Sequence, residues 1–492
     1  MKLIKTIPLF PFLLVLFFCL HGSVENYGYI DLSEVLMIGV VTLAVVSISI
    51  ALVWLFTKDL LFASLICFFI SLWYLFFGAI QDWLGSHSFL FFLQKFSVLL
   101  PLLFASTIVW IIFIKRKKTL CPRLMFYFNV LLLVYCLIDA AMVSYKYFTE
   151  KVATATANLD FDAARVRAKP SVYFLLFDEY PGYESLQKGF GYSNDSLYNY
   201  LQARGFRILP TFSNYDYTIF SMSSILNMQY VDPHYDPYSL TQRDFQLRTN
   251  EIRNARAVQW FKQIGYRFQN YSIFDIAGQH SVSDQNSFLP VHSRLLTDKI
   301  LHNRIIRVFP GLFREGKFAL PFLKQDYLYR HDIDNKFSER KVMESAAEAD
   351  KSPKFCYAHF AMPHGPFYRD SLGRSNPDSL LEDNFTCTKD LFLSYVKYSN
   401  TVMRKMIDQI VQRDPNAIVI SASDHGYHPF EAGRPDHPFN FNNICAVRLP
   451  DKNYLPMKDK WSMVNFFRYL FNCEFGQNIP YLPDSSIPLV EQ

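Results

Sequence analysis

The chain has 492 residues, with 49 Lys and Arg against 44 Asp and Glu, for a formal net charge of +5. So small an excess, with no basic stripe carrying interleaved aromatics, speaks against a nucleic-acid partner. Half of the residues (51%) are hydrophobic and 17% aromatic, yet the mean hydropathy is only +0.07, as expected when two unlike parts are averaged.

The first part, residues 1–146, holds long apolar runs with few charges. A bilayer core needs about 20 mostly apolar residues per helix, and five segments come close: 7–22, 34–57, 60–80, 88–114 and 124–145. Lys2 and Lys5 precede the first, Lys58 follows the second, and Lys115-Arg116-Lys117-Lys118 follow the fourth. Glu25, Asp31, Glu34 and Asp82 mark the opposite turns. Under the positive-inside rule this predicts a multi-pass membrane protein with a cytoplasmic N-terminus and everything after the fifth segment outside. The first segment also has the length of a signal peptide, but no A-x-A-like cleavage site follows it. An uncleaved helix is the expectation, and cleavage would leave the same topology.

Residues 147–170 read as a polar, Ala-rich connector that Pro170 closes. Residues 171–492 are long enough for one large domain, or for one domain with a subdomain. Of the eight cysteines, Cys356, Cys387, Cys445 and Cys473 fall in that outer part. No CxxC pair exists, so a zinc ribbon is not expected, Cys356 and Cys445 sit in strand-like runs, and a Cys387–Cys473 bridge has no support beyond the residues' presence.

The outer part opens with Ser171-Val172-Tyr173-Phe174-Leu175-Leu176-Phe177, a β-prone apolar run suited to the centre of a parallel sheet. It ends in Asp178. Residues 196–204 read as a helix stopped by Gly205, followed by a strand at 206–209, which is βαβ logic. Two further runs follow the same rule. Residues 355–360 lead into Ala361-Met362-Pro363-His364-Gly365-Pro366-Phe367, and residues 417–422 lead into Ser423-Asp424-His425-Gly426. Asp178, His364, Asp424 and His425 thus fall just past the carboxyl ends of predicted strands, the edge where open α/β sheets bind ligands. A single Asp there is usually a turn or cap, but three strand ends delivering carboxylates and imidazoles ask for chemistry. Between them, Ile219, Met222, Ile225 and Leu226 have helical spacing, which puts Thr218 at a helix N-terminus. There it is either an ordinary cap or, beside a divalent cation, an activated nucleophile.

In this order SVYFLLFDEY, SNYDYTIFSMSSILN, HFAMPHGPF and SDHG resemble the alkaline-phosphatase/sulfatase superfamily. More narrowly they are similar to its membrane-anchored bacterial branch, the lipid A phosphoethanolamine transferases and lipoteichoic acid synthases. The resemblance implies a five-helix transmembrane bundle in the inner (cytoplasmic) membrane, then an α/β sulfatase-like catalytic domain with a mainly parallel sheet on the periplasmic or extracytoplasmic side. It implies Asp178, Thr218, Asp424 and His425 as metal ligands, Thr218 also as nucleophile, and His364 and His437 as histidines near the transferred group. His359 reads as a core histidine, His428 as a solvated one, and Ser221 as a fallback nucleophile. Two carboxylates, an imidazole and a hydroxyl suit Zn²⁺ or Mn²⁺, one ion with a second left open.

The activity implied is transfer of a phosphoethanolamine- or phosphoglycerol-type group to an envelope lipid or glycan through a phospho-threonine. Hydrolysis of a phosphoric or sulfuric ester stays open as an alternative, as does a non-catalytic membrane sensor. Sulfatases make formylglycine from Cys or Ser in a C/S-x-P-x-R setting, and Thr218-Ile219-Phe220-Ser221-Met222 has neither the Pro nor the Arg. The disulfide framework of many phosphoethanolamine transferases cannot be placed here. Residues 285–350 match no motif; their basic amphipathic stretch reads either as a segment resting on anionic headgroups or as a solvated insertion. Oligomeric state is not legible.

Overall fold

A computed structural model gives the architecture; it describes residues 2–30, 32–149, 159–231, 235–285, 293–305, 328–350, 352–382, 388–428, 438–456 and 458–490. Contacts divide the chain into two compact units, Met1–Val152 with Phe288–Phe318, and Ala153–Ser287 with Ala319–Gln492.

The first unit is helical. Leu32–Thr57, Leu60–Gly85, Phe96–Arg116 and the run Lys118–Thr149 are each long and apolar enough to cross a membrane, and Phe10–Glu25 is a shorter apolar helix. The first expected span, 7–22, is therefore a 16-residue helix, short for a bilayer core. The expected 88–114 segment begins as a helix only at Phe96, after a 3₁₀ turn at Phe91–Gln94. Asn129 ties the amino end of Phe10–Glu25 down, accepting from Phe10 N at 2.7 Å and donating to the carbonyls of Ile4 and Ile7 at 2.9 and 2.8 Å. In an apolar unit this satisfies backbone groups that helix geometry leaves unpaired.

The described part of 288–318 packs within this same unit. Leu296 and Ile300 are buried among its apolar side chains. Asp82 receives Lys299 Nζ at 2.6 Å and the guanidinium of Arg304 at 2.8 and 2.7 Å. The division differs from the continuous span 171–492 read from sequence, and in the described part of that basic segment Leu296 and Ile300 find apolar partners among the helices.

The second unit is built on a six-stranded sheet of order β2-β7-β6-β1-β5-β4. Its strands are β1 (Val172–Phe177), β2 (Arg207–Ile208), β4 (Arg267–Tyr271), β5 (Lys354–Phe360), β6 (Ile418–Ala422) and β7 (Cys445–Arg448), while β3 (Thr211–Phe212) pairs with β8 (Trp461–Ser462) apart. β1 runs parallel to both β5 and β6, and β4 parallel to β5. Side chains alternate across the sheet as a pleat requires. Val172, Phe174 and Leu176 join one apolar cluster, and Tyr173, Leu175 and Phe177 join the other. Both faces are covered, which is why the run carries no polar alternation.

The expected βαβ step into residues 206–209 is corrected. β2 pairs antiparallel with β7, and β7 antiparallel with β6. A two-residue edge strand carries too short a pattern to reveal its direction.

Phe261 anchors one face, fully buried, with its ring 4.4 Å from Phe355 and 5.0 Å from Phe471. Phe261→Ala is expected to destabilise this unit by about 3–5 kcal/mol, read as a lower denaturant midpoint at unchanged slope.

Candidate active site

Three neighbouring strands of the sheet deliver the site. Asp178 directly follows β1, Asp424 and His425 follow β6 after Ser423, and His364 lies four residues past β5. Because β6, β1 and β5 are adjacent and parallel, their carboxyl ends converge. The fourth contributor is the helix Thr218–Asn227, whose first residue is Thr218.

The structure brings Asp178, Thr218, Asp424 and His425 together. Thr218 Oγ1 lies 3.4 Å from Asp178 Oδ1 and 3.2 Å from His425 Nε2. His425 Nε2 lies 3.3 Å from Asp424 Oδ2 and 3.8 Å from Asp178 Oδ1. Asp178, Asp424 and His425 are all buried, and one donor atom from each falls within 4.8 Å of the others. His425 Nδ1 faces Gly426 O at 2.8 Å, which makes Nδ1 the protonated nitrogen and leaves the Nε2 lone pair turned to the cluster.

Asp424 is split in role. Oδ1 accepts from Glu179 N at 3.1 Å, whereas Oδ2, although close to His425, is buried without a hydrogen-bond partner. A buried carboxylate oxygen in that state is costly. A divalent cation among two carboxylates, an imidazole and a hydroxyl would satisfy it, so the residues present fit such an ion. The donor set does not choose between Zn²⁺ and Mn²⁺.

Electrostatics agree. Burial acts to raise the Asp178 pKa, but the charges of His364, His359 and His425 overcome it and hold the carboxyl well below the usual range. Burial acts against a charge on His425, yet Asp424, Asp178 and Glu179 raise its pKa. His364 is crowded by protein atoms that disfavour its charge, and Asp178, Glu179 and Asp424 still push it up to about 9. It is also exposed at the surface of its loop. The raised His364 and His425 values record the negative charge of the carboxylates, which a bound cation would neutralise, while the lowered Asp178 value records the histidines around it.

Local sequence explains the shape of the motif. A Cβ on Gly426 would lie 2.0 Å from Phe439 O and 2.8 Å from Asn442 O, so only glycine lets the SDHG turn close. Glu179 has φ of 61°, a left-handed conformation unusual outside glycine. It turns the chain so that Glu179 N reaches Asp424 while Tyr180 N donates to Ser423 Oγ at 2.8 Å. Strain of this kind collects at functional sites.

Three residues lie at the cluster although their sequence context did not point there. His359, expected as a core histidine, is buried in β5, but its Nε2 lies 3.6 Å from Asp178 Oδ2 and has no hydrogen-bond partner. His428, expected as solvated, lies with its ring 4.9 Å from that of His425 and nearly parallel to it, and its Nε2 faces Asp216 O at 2.6 Å. Glu179 accepts from His428 N at 3.1 Å. Ser221 is turned away, its hydroxyl donating to Tyr215 O at 2.7 Å. His437 and Cys387 lie outside the described residues. His359→Ala is expected to lower metal affinity by about 10–100-fold, measured by competition with a chelating dye.

An α/β domain that gathers two carboxylates, an imidazole and a hydroxyl at the carboxyl ends of its central strands is of the class suited to metal-assisted attack on an acidic ester. The Sulfatase family model matches residues 179–446, more than half of the sequence, and the chain belongs to that family, within the alkaline-phosphatase/sulfatase superfamily. A comparison with curated proteins found no match. Among solved structures the chain is similar to the C-terminal periplasmic domain of EcEptC from Escherichia coli in complex with Zn, at 11% identity over 66% of this chain and 86% of that one, with a TM-score of 0.38. It is also similar to the phosphonate monoester hydrolase of Agrobacterium radiobacter, at 13% identity over 63% and 74% of the two chains and a TM-score of 0.38. A third is BT1596, a 2-O GAG sulfatase, at 10% identity over 64% and 72% of the chains, again with a TM-score of 0.38.

Proposed function

We propose that the protein is a membrane-anchored, metal-dependent phospho-group transferase of phosphoethanolamine or phosphoglycerol type. Its substrate is an envelope lipid or glycan, and its catalytic unit lies outside the cytoplasmic membrane of a bacterium. The observation that carries this reading is the position of Thr218. Its hydroxyl starts a helix and lies 3.4 Å from Asp178 and 3.2 Å from His425, where the helix N-terminus favours an anion.

Asp178, Asp424 and His425, with Thr218, would hold one Zn²⁺ or Mn²⁺. That ion would supply a lowered hydroxyl pKa and charge neutralisation. With its proton released to solvent, Thr218 Oγ1 forms a bond to phosphorus while the bond from phosphorus to the leaving alcohol breaks. His364, assisted by His437, gives the leaving oxygen its proton. The group now rests on Thr218. An acceptor hydroxyl then attacks phosphorus, its proton passes to His364, and Thr218 Oγ1 leaves. The Thr218-Ile219-Phe220-Ser221-Met222 sequence, without the Cys/Ser, Pro and Arg of formylglycine sites, favours phosphorus over sulfur.

Vesicles carrying headgroup-labelled phosphatidylethanolamine or phosphatidylglycerol test the reading. Label moving to lipid or glycan acceptors supports a transferase. Label released only to water identifies a phosphodiesterase, and no turnover with either donor, alongside cleavage of an aryl sulfate, would point to a sulfatase.

A further inference from the structure

The helix Arg330–Ala347 lies in a stretch that matches no sequence motif, yet it is fastened to the His364 loop on both sides of that residue. On one side, buried Asn335 accepts from Ala361 N at 2.8 Å and donates to Ala361 O at 3.3 Å. On the other, Arg369 forks onto Asp332, Nε to Oδ1 at 3.2 Å and a terminal nitrogen to Oδ2 at 2.5 Å. Ala361 precedes His364 by three residues and Arg369 follows it by five. The loop is therefore pinned at both ends to the first two turns of this helix.

His331 sits inside that bracket. It is the second residue of the helix and four before Asn335, so it shares the face that meets Ala361 one turn closer to the amino end. It is exposed at that end, whereas Asp332, Asp334 and Asn335 around it are buried and occupied with structure. Crowding by protein atoms lowers its pKa, and the charges of His364 and Asp178 both act on it. Asn335, one turn on, meets Ala361 three residues before His364, so His331 lies at the helix end beside that loop.

We propose that His331 is a substrate-binding residue of this site, donating a hydrogen bond from its imidazole to a non-reacting oxygen of the phosphodiester, with Asn335 and the Asp332–Arg369 fork as its positioning residues. This rests on the phospho-transfer reading of the site and adds a contact to it. A neutral imidazole suits the place, since a second full charge beside His364 would cost more than a donated hydrogen bond. Uniform binding of this kind appears in KM rather than in kcat.

The test uses the full chain in detergent, loaded with Mn²⁺, with bis(p-nitrophenyl) phosphate as substrate and inorganic phosphate as competitive inhibitor. His331→Ala is expected to raise KM and the phosphate inhibition constant about tenfold each, with kcat within about threefold and metal content unchanged. His331→Gln, which keeps a donor, is expected to recover part of the loss. An unchanged KM in His331→Ala, or a fall in kcat alone, would overturn the proposal while Thr218→Ala stays inactive. Wild-type turnover in Thr218→Ala would instead bring down the reading of the site, and this inference with it.

Discussion

Replacing Thr218 with alanine is expected to lower turnover of any phosphodiester substrate by at least about 10⁴-fold, while at saturating metal Asp178, Asp424 and His425 still hold the ion and the thermal midpoint stays close to wild type. The size follows from the role: a missing nucleophile removes the bond-forming atom, and neighbours that act with it cannot compensate. Ser221, three residues on in the same helix, cannot substitute, because its hydroxyl is committed to Tyr215 O inside the core. Stability should hardly change. Thr218 is only partly buried, and the backbone cap of its helix is Tyr217. Thr218→Ser keeps the oxygen and is expected to retain activity within about a hundredfold. Steady-state kinetics beside metal analysis decide the matter.

The second large effect belongs to Asp424. Its Oδ2 is buried and lacks a hydrogen-bond partner, while Oδ1 holds the turn through Glu179 N. Asp424→Asn keeps the shape and the Oδ1 contact but removes the charge. Metal content is expected to fall from about one equivalent to less than about a tenth, and turnover with it. A distinct stability effect should accompany this. In the wild type a chelator exposes the cost of gathering Asp178 and Asp424 without a cation, so the thermal midpoint should drop on the order of 5 °C. In Asp424→Asn the chelator should leave the midpoint where it is. A variant that binds metal normally, or that keeps the chelator response, contradicts the assignment of Asp424.

Much of this site was legible in the sequence because each part of it follows a strong local pattern. β1, β5 and β6 are nearly unbroken apolar runs, so their ends could be located and Asp178, His364, Asp424 and His425 placed on one edge. Thr218 was legible through the helical spacing of Ile219, Met222, Ile225 and Leu226 after it. Residues that matter through space were not. His359 looks like any histidine in a buried strand, and only the register Leu176↔His359 between β1 and β5 brings it beside Asp178. Glu179 looks like the second of two acidic residues; its left-handed backbone is invisible in a string of letters. Asn335 reaches the His364 loop through helix packing, which no motif records. The antiparallel edge formed by β2 and β7 was missed because two residues carry no periodicity. Residues 288–318 defeated the reading for a different reason: basic and amphipathic, they pattern equally for solvent, headgroups or a neighbouring helix.

The proposed membrane orientation draws on the cluster Lys115–Lys118 and on the four long apolar helices among the described residues, and it would confine both donor and acceptor to the surface where the catalytic unit would work. The central claim concerns Thr218 itself, and peptide mass spectrometry tests it most directly. The metal-loaded protein, incubated with phosphatidylethanolamine or phosphatidylglycerol vesicles, quenched in acid and digested, should carry a phosphoethanolamine or phosphoglycerol mass on Thr218. The same treatment of Asp424→Asn should leave Thr218 unmodified. Turnover of the lipid donor with Thr218 never modified, or with the adduct on another residue, would contradict the account.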